Sequence, residues 1–153
     1  MIIRDETASD IDEIAGVTAE AFRTLAVSNH TEQFIIAALR AANAFSVSLV
    51  AEIDDRVIGP IALSPVTISD GTQKWYGLGP VSVLPEYQHH GIGKALILEG
   101  LSRLKDLKAK GCCLVGHPDG TDAPKETTLK LPESPAADGP PKFIWLPRML
   151  ERR

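Results

Sequence analysis

The interpretation of this chain rests on Val83-Leu84-Pro85-Glu86-Tyr87-Gln88-His89-His90-Gly91-Ile92-Gly93-Lys94-Ala95. This stretch leads from an apolar, strand-like segment, residues 75–83, through a glycine-containing loop into an amphipathic helix. The first turn of such a helix has N–H groups without partners, and the helix dipole places about half a positive charge there. Gly91 and Gly93 have no Cβ, so phosphate groups could approach the main chain closely. The stretch therefore predicts a binding site for a diphosphate.

Two common phosphate loops do not fit the spacing. A nucleoside-triphosphate loop requires G-x-x-x-x-G-K-[ST], but Gln88 stands at its first glycine and Ala95 at its hydroxyl position. A dinucleotide loop requires G-x-G-x-x-G directly after the first strand of its unit. Here Leu96 stands at the third glycine, and the loop lies past the middle of the chain. Both kinds of phosphate loop are therefore excluded, because required residues are missing at these positions.

The remaining pattern is V-x-P followed by Q-x-x-G-x-G, and with it the chain resembles the GNAT superfamily of acyl-CoA-dependent N-acetyltransferases. The resemblance spans residues 1–118 and points to a bacterial subgroup of predicted small-molecule or protein acetyltransferases. The segments that carry it are Leu78–Leu96, with the flanks Val57-Ile58-Gly59, Ser64-Pro65-Val66-Thr67-Ile68 and Gly111-Cys112-Cys113-Leu114-Val115-Gly116-His117-Pro118.

The resemblance implies an α/β (α+β) fold with a mixed, mostly antiparallel central sheet flanked by helices, in the order β-α-α-β-β-β-α-β, and an irregular C-terminal segment. The apolar periodicity and the turn residues independently predict the same order. The predicted elements are a strand at Ile2–Arg4, a helix capped by Ser9 or Asp10, a helix capped by Thr31, a hairpin of Ser48–Ile53 and Arg56–Leu63 turning at Asp54-Asp55, a turn at Asp70-Gly71, a strand at 75–83, a helix at 91–109 stopped by Gly111, and a strand at Cys112–Val115.

Two details of these elements bear on the site. The helix after the loop is predicted to bury a stripe of apolar side chains, namely Ile97, Leu101, Leu104 and Leu107. Pro80 cannot donate a ladder hydrogen bond, so it predicts a sheet edge or a bulge. The resemblance implies that the strand containing Pro80 diverges from Cys112–Val115 and opens a wedge for the pantetheine arm of coenzyme A.

The resemblance also implies a set of residues that bind acetyl-CoA. The main chains of Val81 and Val83 would follow the pantetheine arm, and one of their N–H groups would lie near the thioester carbonyl. The pyrophosphate would be surrounded by Gln88, His89, His90, Gly91, Ile92, Gly93 and Lys94. The two histidines could add positive charge if protonated, or could simply be exposed loop residues.

The sequence identifies no catalytic residue. An acceptor amine must lose a proton, because an amine with a pKa of ~10.4 is almost fully charged at neutral pH, and the oxyanion needs an oriented donor. The candidate polar side chains are Glu20, Glu32, Glu52, Ser64, Tyr76 and Ser82. Proton removal through a water chain is an equally open alternative. Relatives tend to carry a histidine where Pro60 stands, so no polar role is expected at that position.

Composition limits the class of protein. The chain has 153 residues and a net charge of −4, which fits one domain and argues against nucleic acid as a partner. No apolar run approaches the ~20 residues of a membrane helix, and no secretory signal is visible, so a cytoplasmic protein is expected. Cys112 and Cys113 are adjacent and should point to opposite faces of a strand, so neither a disulfide nor a metal site is expected.

The C-terminal part departs from the family pattern. Residues 1–118 are expected to form the acyl-CoA N-acyltransferase-like domain, and residues 119–153 a proline-rich, irregular segment in which only Phe143–Leu146 could form a strand. Relatives continue with a helix that contains tyrosines, whereas this chain has no tyrosine after Tyr87. A change of reading frame, a divergent but functional terminus, and strands borrowed from a second copy all remain open.

Two functions follow from these features. The first is an N-acetyltransferase that moves an acetyl group from acetyl-CoA to a primary amine of a small molecule or protein, without a metal. The second is an acyl-CoA-binding module with weak or no catalytic activity, because the acid and acceptor elements are the parts that are missing. In relatives, a tyrosine of the helix after residue 118 often serves as the acid for the coenzyme thiolate. A homodimer is expected only by analogy with the superfamily.

Overall fold

Seven strands form one mixed sheet in the described part of the chain, and their spatial order follows their order along the sequence. The computed structural model describes residues 1–23, 37, 40–42, 45–66, 73–116, 125–130 and 143–144. The strands are β1 (Ile2–Asp5), β2 (Val47–Ile53), β3 (Arg56–Val66), β4 (Trp75–Val81), β5 (Gly111–Gly116), β6 (Lys125–Lys130) and β7 (Phe143–Ile144). The helices are α1 (Ile11–Phe22) and α2 (Ile92–Asp106).

The mixed character of the sheet follows from its connections. β4 and β5 are parallel because α2 forms the crossover between them, whereas the other neighbouring pairs are antiparallel. The hairpin predicted at Asp54-Asp55 is confirmed. Both aspartates have positive φ, 50° and 61°, which is the geometry of a two-residue hairpin turn that matches the twist of its strands. The α/β fold class predicted from the sequence is confirmed.

The two helices cover opposite faces of the sheet. From α1, the hydroxyl of Thr18 lies 3.4 Å from that of Ser82, just after β4. From α2, a Cβ at Gly93 would lie 3.8 Å from Cγ2 of Val83, the next residue. Successive side chains of an extended strand point to opposite faces, so α1 and α2 must lie on opposite sides. No helix of the described residues has both the length and the apolar character needed to cross a membrane.

The C-terminal end of α2 differs from the prediction. The helix ends at Asp106, not at 109, and Gly111 is the first residue of β5. Lys108 takes the left-handed conformation, and the N–H groups of Lys108 and Ala109 donate to Lys105 (2.9 Å) and Leu104 (3.0 Å). These two bonds form a Schellman motif, which usually has glycine where this chain has lysine.

Burial along α2 differs from the prediction at one position. Leu101 and Leu104 are buried and Ile97 is partly buried, as predicted. Leu107 was expected to be buried but is 45% exposed, because it follows the last helical residue and no longer lies on the helix face that packs on the sheet.

One of the two residues that were expected to cap α1, Asp10, has another role. Asp10 precedes α1, but its carboxylate accepts hydrogen bonds from the Thr7 N–H (2.7 Å) and from two nitrogens of Arg4 (2.7 and 3.0 Å). Arg4 also donates to Glu52, at 2.6 and 2.9 Å. This network joins β1, the start of α1 and β2. The Arg4 guanidinium holds the pKa of the buried Asp10 well below its usual range.

The C-terminal segment contains a strand that the sequence did not predict. β6 lies in the segment expected to be irregular, and it pairs with β5 from Gly111↔Lys130 to Gly116↔Lys125. The β-branched pair Thr127-Thr128 favours extended backbone, and the free edge of β5 supplies the hydrogen bonds. β7, by contrast, falls within the predicted strand at 143–146.

Two predicted elements fall largely outside the described residues. These are the turn at Asp70-Gly71 and the helix after Thr31, of which only Ala37, Arg40 and Ala41 are described, all three as helical. Glu32 also lies outside the described residues.

We expect Asp10→Asn to lower the free energy of unfolding by about 1 to 3 kcal/mol at pH 7, because a neutral amide cannot replace the ionised acceptor of Arg4. The folded-state pKa of Asp10 is depressed, so its contribution is complete above the unfolded-state pKa of about 3.9 and is lost as pH falls further. Urea unfolding at several pH values should show the difference shrinking below about pH 4.

Asp106→Asn is the matched control, because Asp106 is exposed at the end of α2. Its effect should stay within about 0.5 kcal/mol. Equal losses in the two variants, or a difference for Asp10→Asn that does not change with pH, would contradict the role assigned to this network.

Candidate functional site

The two parallel strands of the sheet separate before they end. β4 pairs with β5 only at Gly77 and the two residues before it, opposite Cys113 and the two residues before that. Beyond this point β5 continues to Gly116 and β4 to Val81, each still paired on its other side. The predicted wedge is therefore present, and its walls are the main chains of these two strand ends.

A bulge accompanies this separation. Leu78 pairs with Leu63 and Val81 with Ile61, so two residues of β4 face a single residue of β3. The two residues are Gly79 and Pro80. Gly79 has a φ of 132°, a backbone conformation that residues with a Cβ rarely adopt. Of the two predictions for Pro80, the bulge is the one that the structure shows, because β4 lies inside the sheet.

The main chain after the bulge is oriented by β3. The Ser82 N–H donates to Pro60 O at 3.2 Å, and the Leu84 N–H donates to Ile58 O at 2.9 Å. Because main-chain groups alternate in direction along a strand, the N–H groups of Val81 and Val83 point the other way. That direction is the wedge, so the two residues predicted to follow a pantetheine arm present donors there.

The loop turns back on itself through two kinds of hydrogen bond. In the main chain, the N–H groups of Tyr87 and Gln88 donate to Leu84 O (2.9 Å) and Pro85 O (3.3 Å). In addition, the side-chain amide of Gln88 donates to the Val83 carbonyl, at 2.9 Å. The sequence suggested Gln88 as a possible ligand of the diphosphate, whereas in this structure its NH₂ group contacts the protein itself.

The start of α2 is arranged as the sequence predicts. His89 and Gly91 both have positive φ, 63° and 81°, which reverses the chain before the helix. Gly91 is the N-cap residue, and no side chain caps the helix. The Gly91 carbonyl accepts the first intrahelical bond, from Ala95 at 3.0 Å. The N–H groups of Ile92, Gly93 and Lys94 form the uncapped first turn.

The charges around this turn favour an anion. The first turn of α2 contains no acidic residue, and Lys94 is exposed there, although a cation opposes the helix dipole at that end. The nearest preceding acid, Glu86, is engaged with Arg56 at 3.5 Å. His90 is exposed, with Nδ1 3.2 Å from the Tyr87 carbonyl. A bound anion would satisfy both the amides and the lysine.

The carboxylates considered for catalysis are occupied or lie outside the described residues. Glu20 pairs with Arg23 at 2.8 Å, and Glu52 pairs with Arg4. The Ser82 hydroxyl is buried beside Thr18, whose own hydroxyl donates to Ile14 O at 2.8 Å. Sequence reasoning did not identify the contact between Thr18 and Ser82, because nothing in the local pattern links residues so far apart in the chain.

The two adjacent cysteines both lie in β5. Cys112 and Cys113 are both buried, and burial raises the pKa of the Cys112 thiol to about 12. Such a thiol stays protonated and behaves as a packing residue. Within the described residues, no three His, Cys, Asp or Glu side chains lie close enough together to hold a metal ion.

Comparison with known proteins agrees with this geometry. The sequence model of the Acetyltransferase (GNAT) family matches residues 12–121. The uncharacterised N-acetyltransferase YhbS of Escherichia coli (strain K12) is 29% identical over 119 residues, which cover 77% of this chain and 68% of that protein.

Two crystal structures extend the comparison. A GNAT family acetyltransferase from Brucella melitensis in complex with acetyl-CoA is 52% identical, with a TM-score of 0.75 and coverage of 78% of this chain and 77% of that one. The structure of YhbS from Escherichia coli in complex with CoA is 28% identical, with a TM-score of 0.70. That match covers 76% of this chain and 63% of the YhbS chain, which is less than two thirds of its length. Since the family model matches well over half of its residues, the chain belongs to the GNAT acetyltransferase family.

Proposed function

We propose that this protein transfers the acetyl group of acetyl-CoA to a primary amine of a small molecule or protein. The observation that carries the proposal is the alignment of two sets of main-chain donors. The N–H groups of Val81 and Val83 point into the wedge, and the uncapped first turn of α2 follows within the same loop. A pantetheine arm with amides and a diphosphate at one end has the complementary groups in the same order.

The direction of the bound thioester follows from this order. The diphosphate would lie at the N–H groups of Ile92–Lys94, near Val83, which follows the end of β4. The pantetheine arm would then run back along the main chain towards Val81. The N–H of Val81 would be the one closer to the thioester carbonyl, where it would stabilise the oxyanion.

The reaction needs little more from the protein than this placement. The lone pair of a neutral amine adds to the thioester carbonyl carbon, the tetrahedral intermediate collapses, and coenzyme A leaves as a thiolate. The ammonium formed on the acceptor must then lose its proton. With Glu20 and Glu52 held in ion pairs, a water chain is the proton route that best fits the described residues. The use of acetyl-CoA fits the predicted cytoplasmic location.

We expect Gly93→Leu to lower the affinity for coenzyme A by about 100-fold or more, because the side chain would stand beside Val83 and keep the diphosphate away from charge-assisted contacts with the helix amides. Binding of pantetheine, which has no diphosphate, should change less than about threefold. Calorimetry with coenzyme A and NMR titration with pantetheine measure the two. Gly93 is a cleaner test than Gly91, whose positive φ would strain any larger residue.

Gly16→Leu is the matched control, because Gly16 lies in α1 and a Cβ there would contact nothing within 4 Å. Both substitutions replace a helical glycine and should raise thermal stability slightly. Wild-type affinity for coenzyme A in Gly93→Leu would remove the loop from the proposed site.

We expect Lys94→Met to weaken coenzyme A binding by about 3- to 10-fold at low salt, because it removes a cation beside the proposed diphosphate. The deficit should shrink at high ionic strength, where exposed charges are screened. Lys105→Met, at the other end of α2, is the control and should bind like the wild type. A deficit that does not respond to salt would mean that Lys94 does not act through its charge.

Turnover separates an enzyme from a binding module. We expect release of the thiol from acetyl-CoA in the presence of a suitable primary amine. Below the pKa of the amine, the rate at low amine concentration should rise about tenfold per pH unit, because only the neutral amine reacts. Tight binding of coenzyme A without turnover across a broad panel of small amines and lysine peptides would favour the binding module.

A further inference from the structure

The Gln88 side chain lies on the wedge side of the strand end. Val83 stands between Ser82 and Leu84, whose N–H groups both face β3, so the carbonyl of Val83 faces the wedge. The Gln88 NH₂ group is 2.9 Å from that carbonyl oxygen. A carbonyl oxygen only accepts, so the Gln88 atom that faces it must be the amide nitrogen.

This bond orients one rigid peptide unit from both sides. The Val83 carbonyl and the Leu84 N–H belong to the same planar group. Its N–H donates to Ile58 O in β3, and its carbonyl accepts from Gln88 in the loop. A rotation of this plane would therefore break two hydrogen bonds that lie on opposite sides of the strand.

The preceding peptide unit lacks such support. It contains the Ser82 carbonyl and the Val83 N–H, the donor that faces the wedge. In an antiparallel ladder the residue opposite Ser82 would donate to the Ser82 carbonyl, but that residue is Pro60, which has no N–H. The carbonyl does face β3, since a Cβ at Gly59 would lie 2.8 Å from it. The direction of the Val83 N–H thus depends on the orientation of the following peptide unit, which contains the Val83 carbonyl and the Leu84 N–H.

We propose that Gln88 is a positioning residue: its hydrogen bond to the Val83 carbonyl compensates for the ladder bond that Pro60 cannot make, and so holds the Val83 N–H towards the pantetheine arm. The inference rests on the proposed use of acetyl-CoA. In this role Gln88 affects binding of the pantetheine arm. A direct ligand of the diphosphate would instead affect binding of the diphosphate alone.

Binding of pantetheine and of coenzyme A to Gln88→Met tests this assignment. Methionine has a similar length but no donor. We expect ¹⁵N NMR titrations to show both ligands weakened by a similar factor, roughly 3- to 10-fold. The Val83 amide should lose most of its ligand-induced shift, while the amides of Ile92–Lys94 still shift with coenzyme A. If pantetheine binds too weakly to saturate the protein, the coenzyme A titration alone decides, by the contrast between the Val83 amide and the Ile92–Lys94 amides.

Two further variants make the test specific. Gln73→Met, at an exposed glutamine, should bind both ligands like the wild type. Pro60→Ala restores a donor opposite Ser82, so adding Gln88→Met to it should cost less than about threefold in pantetheine affinity. This non-additivity distinguishes positioning through the Val83 plane from a general loss of loop structure.

Three outcomes would overturn the inference. Weakened binding of coenzyme A with unchanged pantetheine binding would make Gln88 a ligand of the diphosphate and leave the proposed function intact. Unchanged binding of both ligands to Gln88→Met would show that the bond is dispensable. A wild-type protein that binds neither ligand would refute the proposed function itself, and the inference with it.

Discussion

Pairing between β4 and β5 ends at Gly77, although both strands continue, and this separation leaves the N–H groups of Val81 and Val83 available to a ligand. If the ladder had continued, the N–H groups of Val81 and Val83 would be used by the neighbouring strand. The bulge at Gly79 and Pro80 lies where the strands part. The sheet thus leaves hydrogen-bonding capacity unused at one place, inside the protein, where a ligand with amides of its own can take it up.

The strand end that presents these donors is held from several directions. β3 holds the N–H groups of Ser82 and Leu84, and the buried hydroxyl of Ser82 contacts Thr18 of α1. On the opposite face, Val83 packs close to Gly93 of α2. Gly59 permits the close approach of β3 to the Ser82 carbonyl, because any Cβ there would overlap with it. Donors fixed in this way lose little freedom when a ligand binds, and this preorganisation favours affinity.

How much of this could be predicted depends on whether the information is local. The uncapped turn at Gly91–Lys94 is determined by consecutive residues and could be predicted from them. The same holds for the hairpin at Asp54-Asp55. Pro80 alone predicted either a sheet edge or a bulge, and the position of β4 inside the sheet decides between them. By contrast, the hydrogen bond from Gln88 to Val83 depends on how tightly the loop turns, which the residue types do not specify. The missing donor at Pro60 matters only because Ser82 lies opposite it, and that register emerges from the whole sheet.

The errors have the same origin. Glycine at 111 was taken to end α2, but Lys108 adopts the left-handed conformation instead, at a small energetic cost that the Schellman bonds and the buried Ala109 offset. β6 was not predicted because it is stabilised by pairing with the free edge of β5, and the residue types within β6 do not reveal that partner. Tertiary hydrogen bonding overrode composition in both places.

The candidate site offers different kinds of groups to the cofactor and to the acceptor amine, and this difference has a chemical consequence. The proposed cofactor contacts are mostly main-chain donors, so side-chain substitutions would alter them mainly through the positions of the peptide planes. The acceptor amine has no such framework among the described residues, and the described carboxylates considered as bases form ion pairs with arginines. Acetyl transfer would then be limited by the fraction of amine that is already neutral. An enzyme of this kind would discriminate between amines by their pKa as well as by their shape, and it would favour acceptors whose ammonium forms are the more acidic.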